Sequence, residues 1–157
     1  MRNILLVIDI QKEFKDKTGE KYKKVIDYIN NNKDNYDLII GTFFKNEYPS
    51  NFDKKLHWDG CKNASVDSVE YNYDFLFKKS TYILDFEKLL FNDLFSKEDK
   101  ITLIGCDTDA CIFVNAANLF DKGYDFRILT DYIYSTSNFD ENVTVNILRR
   151  NFGDCVA

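Results

Sequence analysis

One cysteine of this chain stands where a protein can use it as a nucleophile. Cys111 follows a strand-like run that ends at Gly105-Cys106, and a helical pattern begins beside it. A thiol in the first turn of a helix lies near unpaired peptide N–H groups and the positive end of the helix dipole, which favours the thiolate. The same N–H groups can bind a developing oxyanion. A free cysteine is also often a small buried hydrophobic residue, so this segment alone leaves both roles open.

Two charged residues follow other predicted strands. Asp9 comes directly after the apolar run Ile4 to Ile8. Burial at this place can raise the pKa of a carboxyl group and suit it to act as a base. The alternative role for Asp9 is to cap a helix or to form a turn. Lys79 ends another short strand and can hold a carboxylate ionised, although most lysines near loops are solvated. Lys78 is its competitor. Because consecutive side chains of an extended segment point in opposite directions, only one of the two lysines should face a site.

The elements between these residues must bring strand ends together. The hydrophobic pattern predicts strands over 4–8, 37–44, 101–106 and 126–130, a short strand, a loop and a return over 74–84, and a short edge strand over 154–157. Helices are predicted over 21–32, 86–95 and 140–151, and residues 45–73 are predicted to form a long loop with one short helix. A further helix follows Cys111, with an apolar face of Phe113, Ala116, Ala117 and Phe120.

This order of elements predicts an α/β fold in which a mostly parallel sheet of five or six strands carries helices on both faces. Ligands of such sheets bind outside the carboxyl ends of the strands. Asp9, Lys79 and the turn from Gly105 to Cys111 all follow strands in that way.

Length and composition set outer limits on the protein. The 157 residues, of which 45% are hydrophobic, suit a single domain over 1–157 with one core. The net charge of −5 argues against a nucleic-acid partner. The N-terminal apolar run is too short to cross a bilayer, and we expect a cytoplasmic protein whose four cysteines are free thiols.

Two segments resemble the isochorismatase-like cysteine hydrolases, a family related to amidases and nicotinamidases. The opening LLVIDIQKEF is similar to the family's hydrophobic-Asp-x-Gln-x-x-Phe start, matched at Asp9, Gln11 and Phe14. The segment LIGCDTDACIFVNAANLFDKGYDFRILTDYIYS resembles the family's Gly-x-x-Thr-Asp-x-Cys turn, the helix after it and the strand ending in Asp. The matched positions are Gly105, Thr108, Asp109, Cys111, Gly123, Tyr124 and Asp131. The resemblance implies a Rossmann-like three-layer sandwich.

The resemblance also implies a catalytic triad of Asp9, Lys79 and Cys111. Lys79 matches better than Lys78 because the family tends to carry an aromatic residue three positions after the lysine, and Tyr82 stands there. The rest of the family's Tyr-Ser-x-Phe pattern is poorly kept in the segment that follows.

A cis peptide bond between Cys106 and Asp107 is implied as well, with an oxyanion hole formed by the backbone N–H groups of Asp107 and Cys111. Many members carry a small residue at the position of Asp107, and we expect its acidic side chain to point away from the site, towards the start of the helix. The substrate pocket is predicted to contain Gln11, Phe14, Phe44, Trp58 and Tyr82.

The function predicted on this basis is hydrolysis of a small amide or related C–N compound through a covalent thiol intermediate, by a homo-oligomer without nucleic-acid or membrane partners. The nicotinamidase branch of the family has a metal-binding Asp-x-His after its second strand. This chain has Thr42 to Asn46 at that place, and His57 is its single histidine. We therefore expect no metal and no other cofactor. The alternative is a catalytically degraded domain that serves as a binding or interaction module. The short chain, the altered lysine motif and the acidic Asp107 favour that alternative.

Overall fold

Five parallel strands form one sheet in the order β3-β2-β1-β4-β5. The computed structural model describes residues 1–157, apart from the side chains of Leu90 and Phe91. The strands are β1 (Asn3–Ile8), β2 (Leu38–Phe44), β3 (Phe75–Lys79), β4 (Lys100–Cys106) and β5 (Asp125–Tyr134). The helices are α1 (Glu20–Asn32), α2 (Asn51–Leu56), α3 (Phe86–Phe91), α4 (Phe113–Asp121) and α5 (Glu141–Phe152).

The central strand β1 is apolar throughout because both of its faces are covered. Leu5 and Val7 pack with α1 on one face, while Ile4, Leu6 and Ile8 pack with α3, α4 and α5 on the other. A strand buried on both sides reads as a continuous hydrophobic run, as this one does. The predicted α/β fold, with five strands and helices on both faces, is confirmed.

Two details of the prediction need revision. The edge strand expected over 154–157 is instead a 3₁₀ turn, Gly153–Cys155, followed by a single bridge between Val156 and Ile128. The return expected after the strand at 75–79 consists of bends rather than a strand. No helix among the described residues has both the length and the hydropathy that a membrane span requires.

The helix after Cys111 is rotated by about one residue from the predicted face. A π turn, Thr108–Ile112, precedes α4, and the Ile112 N–H donates to the carbonyl of Asp107. The buried side chains are Ile112, Asn115, Ala116 and Leu119, while Phe120 of the predicted face is 49% exposed. The buried face is thus shifted by one residue from the predicted one and includes the polar Asn115.

Gly105 pairs with Ile8 where β4 lies beside the end of β1. Its φ is +129°, and a Cβ there would lie 2.1 Å from the carbonyl oxygen of Ile8. Ile8 immediately precedes Asp9, so the absence of a side chain at position 105 lets the ends of the two central strands meet.

We predict that Gly105→Ala lowers the free energy of unfolding by at least about 3 kcal/mol, because the clash is with backbone and no rotamer change relieves it. Gly123→Ala is the matched control. Its φ is +70° with nothing within 4 Å of the added methyl group, so only the left-handed backbone penalty of about 1–2 kcal/mol applies. Urea unfolding curves measure the free energy of unfolding of both variants. Equal losses of stability in the two variants would contradict the close approach of backbone at Gly105.

Candidate functional site

The carboxyl ends of β1, β3 and β4 bring three side chains together. The ammonium of Lys79 lies 2.6 Å from Oδ2 of Asp9. The same nitrogen lies 3.2 Å from Sγ of Cys111 and donates to the carbonyl of Thr81 at 2.9 Å. Lys79 belongs to the edge strand β3, so its side chain crosses above the Phe44 ring, with Nζ 4.9 Å from the ring centroid, to reach the centre of the sheet.

Asp9 is held in one orientation by its neighbour on β2. The Thr42 hydroxyl donates to Oδ1 of Asp9 at 2.7 Å and accepts from the Asp9 N–H at 3.1 Å. Asp9 is fully buried and has a φ of +54°. The other oxygen, Oδ2, faces the Lys79 ammonium at 2.6 Å in a buried ion pair. Thr42 and Lys79 together fix the orientation of the carboxylate.

The two adjacent lysines of β3 have opposite environments. Lys79 is 5% exposed and lies within the site. Lys78 points to the surface, where it pairs with Glu47 at 2.5 Å. Strand alternation thus separates the two lysines, and Lys79 is the one that faces Asp9 and Cys111.

The charges of the site keep Cys111 protonated at rest. Burial raises the pKa of Cys111 well above that of a free thiol, and Asp9 raises it further through its charge and a hydrogen bond; Lys79 opposes both effects. Burial alone would lower the pKa of Lys79, but attraction to Asp9 and Cys111 outweighs it and the pKa is raised. The expectation that the helix start would favour a free thiolate is therefore wrong, because burial of the thiol, reinforced by the Asp9 carboxylate beside it, raises the pKa of Cys111. The charges of Asp9 and Lys79 already cancel, so a thiolate at Cys111 would add a buried negative charge without a partner.

Asp107 directs its carboxylate away from the thiol and onto the loop after β5. One oxygen accepts from the Thr136 N–H at 2.8 Å, and the other accepts from the Thr136 hydroxyl at 2.9 Å. Burial raises the pKa of Asp107, although these two bonds oppose the effect. The peptide bond between Cys106 and Asp107 is cis. The carboxylate thus bonds to the Thr136 loop rather than capping the helix beside it.

A cavity of about 390 Å³ opens onto Cys111. Of the five residues predicted for the pocket, Phe14, Phe44, Trp58 and Tyr82 line it. Gln11 instead lies fully buried outside the lining, where its amide bonds to both the N–H and the carbonyl of Phe44. A larger cavity of about 590 Å³ lies at the opposite, amino-terminal edge of the sheet, around Tyr28 and Arg127. We assign the smaller cavity to the site because Cys111, the candidate nucleophile, lines it.

Several residues of the site were not singled out from the sequence. Phe52 and Leu56 of α2 add to the cavity wall, and their loop position gave no periodic signal. Thr42 was considered only as an occupant of a metal motif. Its position two residues before the end of β2, facing the strand that carries Asp9, is the signal that could have identified it.

The residues present do not form a transition-metal site. Among the described residues, no three His, Cys, Asp or Glu side chains gather as metal ligands. His57 is exposed and ends α2. Asn46, which follows β2, uses its amide to bond Ser50 and the carbonyl of Trp58. These groups offer neither the number nor the grouping of nitrogen, sulfur and carboxylate donors that zinc or iron requires.

Solved structures share this architecture over nearly the whole chain. The pyrazinamidase/nicotinamidase of Streptococcus mutans UA159 is 19% identical, with 99% of each chain covered and a TM-score of 0.76. An isochorismatase-like hydrolase of Alkaliphilus metalliredigens is 14% identical, with 96% of this chain and 92% of that one covered and a TM-score of 0.74. The pyrazinamidase of Pyrococcus horikoshii, solved in complex with zinc, is 19% identical, with 94% of each chain covered and a TM-score of 0.70. No family model and no curated protein matches the sequence. At these identities the likeness shows the fold, and the chemistry must be argued from the residues.

We predict that Lys79→Met destabilises the protein by about 3–5 kcal/mol at neutral pH, because it leaves the Asp9 carboxylate buried without a partner. Lys78→Met is the control and should leave the free energy of unfolding nearly unchanged, because its ion pair with Glu47 lies at the surface. Urea unfolding of both variants at neutral pH measures the two losses of stability. Equal losses in Lys79→Met and Lys78→Met would contradict the buried ion pair.

Proposed function

We propose that this protein is a metal-independent cysteine hydrolase that cleaves small amides or related C–N compounds. The observation that carries the proposal is the buried contact of Lys79 with both Asp9 and Cys111 at the base of an open cavity. Clefts in which buried titratable groups perturb one another are typical of catalytic sites. The fold neighbours include enzymes titled nicotinamidase and pyrazinamidase, which act on amides, and this supports the same class of reaction.

The first half-reaction forms a thioester. Asp9 takes the thiol proton as Sγ of Cys111 attacks the carbonyl carbon, so the nucleophile becomes a thiolate only during the attack. The Asp9 carboxyl group then gives this proton to the departing nitrogen, and the C–N bond breaks to release an amine or ammonia. Lys79 remains charged throughout and offsets the negative charge that develops between Asp9 and Cys111.

The second half-reaction hydrolyses the thioester. Asp9 accepts a proton from a water molecule that attacks the acyl carbon, and it returns that proton to the departing thiolate. The products are a carboxylic acid and the original triad, so one water is consumed for each amide bond. The N–H groups of Asp107 and Cys111 are the proposed donors to the oxyanion in both steps.

The cavity walls support a small, largely apolar acyl group. Phe14 and Trp58 lie nearly parallel at an interplanar angle of 9°, with their ring centroids 6.3 Å apart. Phe52 packs edge-on against Tyr82, with the two ring centroids 5.1 Å apart. Aromatic walls with few polar groups are typical of sites that bind flat or apolar small molecules.

The non-catalytic alternative is less well supported. A binding module has no need to bury a carboxylate, an ammonium and a thiol in contact, because burying charges costs free energy. The Asp107 carboxylate bonds Thr136 rather than the thiol, so it need not oppose an anionic intermediate. The chain also spans 99% of the Streptococcus mutans enzyme, so its length gives no reason to assume that a part of the fold is lost.

We predict that Cys111→Ala and Asp9→Asn each reduce amide hydrolysis at least about 1,000-fold, since either change removes the covalent route. Cys155→Ala, which changes a thiol outside the cavity, should retain wild-type activity. Ammonia release from nicotinamide, pyrazinamide and benzamide measures the effect. Activity that survives in Cys111→Ala, or a wild-type protein inert toward the whole panel, would overturn the proposal.

We further predict that anionic amides are poor substrates. Glu13 lines the cavity, and Lys15, the one cation among the described lining residues, pairs with Glu70 at 3.8 Å. A carboxylate in the substrate would therefore meet like charge. Benzamide and 3-carbamoylbenzoate form a suitable pair, and the quenching of the single Trp58, which lines the cavity, reports binding without turnover. Tighter binding of the anion would contradict the expected selectivity.

A further inference from the structure

Asn115 is a buried polar residue that the mechanism above does not use. It lies on α4 one turn after Cys111 and is fully buried. A buried amide has to find hydrogen-bond partners, because leaving it unsatisfied costs about 1–3 kcal/mol. The partners that Asn115 uses belong to both segments that carry the reacting groups.

The amide nitrogen of Asn115 donates twice. It donates to the carbonyl of Cys111 at 2.8 Å and to the carbonyl of Tyr82 at 3.0 Å. The amide oxygen accepts from the Leu84 N–H at 2.8 Å. Both amide protons are therefore used, which leaves Asn115 no freedom to turn without breaking a bond.

Tyr82 and Leu84 belong to the loop that follows Lys79. The same loop binds the lysine directly, because the Thr81 carbonyl accepts from Nζ at 2.9 Å. The Asn115 amide thus joins the backbone of the nucleophile to the backbone of the loop that holds the ammonium. In this loop the sequence departs from the lysine motif of the family that the chain resembles. The contacts that hold the loop in place are therefore particular to this chain.

We infer that Asn115 is a positioning residue that fixes the distance between the Lys79 ammonium and the Cys111 thiol. This inference rests on the proposed function for its kinetic consequence, but the alignment of the two groups is a property of the structure alone. An error of about 1 Å in the placement of a reacting group can cost about 100-fold in rate. Through its contact with the thiol, Lys79 also lowers the pKa of Cys111, so a loosened loop should make the thiol less reactive.

Asn115→Asp is the decisive variant. It is nearly the same shape and keeps the acceptor for the Leu84 N–H, but an ionised carboxylate cannot donate to the carbonyls of Cys111 and Tyr82. We expect kcat to fall about 10- to 100-fold with KM changed by less than about twofold. Because burial favours the protonated acid, which regains one donor, the ratio of variant to wild-type kcat should rise as the pH is lowered. Asn115→Leu, which has no donor at any pH, should show a constant ratio.

The control for general destabilisation is Leu119→Ala, one turn further along α4 and fully buried. It should lower the thermal midpoint without changing kcat per folded molecule. If Asn115→Asp loses stability but keeps its kcat and pH profile, Asn115 is merely structural and the inference is overturned.

A second measurement separates this inference from the proposed function. The rate at which iodoacetamide alkylates Cys111, followed by peptide mass spectrometry between about pH 7 and about pH 9, requires no substrate. We expect Asn115→Asp to react about three- to tenfold more slowly than wild type, which corresponds to at most about one pKa unit. Slower alkylation without amide hydrolysis by the wild type would sustain the positioning role while the proposed function failed. Unchanged alkylation in Asn115→Asp would overturn the positioning role while leaving amide hydrolysis standing.

Discussion

The ion pair between Asp9 and Lys79 is the interaction on which the rest of the site depends. Both groups are almost completely removed from water, and the desolvation of each costs several kcal/mol that only a close partner offsets. The requirement for that partner explains the surrounding contacts. Thr42 orients the carboxylate, the Phe44 ring lies below the ammonium, and the Thr81 carbonyl takes one of the ammonium protons.

The same pair determines the state of the nucleophile. With Asp9 negative and Lys79 positive, the site is neutral only while Cys111 keeps its proton, and this is why burial and Asp9 together raise its pKa. In the proposed mechanism, the thiol proton therefore moves to Asp9 during the attack.

The sequence was most informative where chemistry follows directly from position on a strand. Apolar runs followed by Asp9, by Lys79 and by the turn before Cys111 predicted that these residues share one edge of a parallel sheet, and the structure brings them into contact. Resemblance to the family added the choice of Lys79 over its neighbour. Strand alternation requires that only one of them faces inward, although it does not say which.

Other features depend on geometry that residue types do not encode. The buried face of the helix after Cys111 includes the polar Asn115 and leaves Phe120 at the surface, so a pattern of apolar residues alone assigned Phe120 to the core and overlooked Asn115. Gln11 matched a family motif and was assigned to the pocket, but its amide fits the backbone of Phe44 and holds the end of β2. The expected thiolate failed because the helix dipole is weak compared with the burial of the thiol and the carboxylate beside it.

The most direct test is a crystal structure of the protein soaked with pyridine-3-carbaldehyde, whose aldehyde carbon accepts a thiol to give a tetrahedral adduct. A covalent bond to Sγ of Cys111 is predicted, with the ring between the aromatic walls and the adduct oxygen facing the N–H groups of Asp107 and Cys111. An aldehyde bonded to Cys61 of the same cavity, or bound there with Cys111 unmodified, would contradict the assignment of Cys111 as the nucleophile.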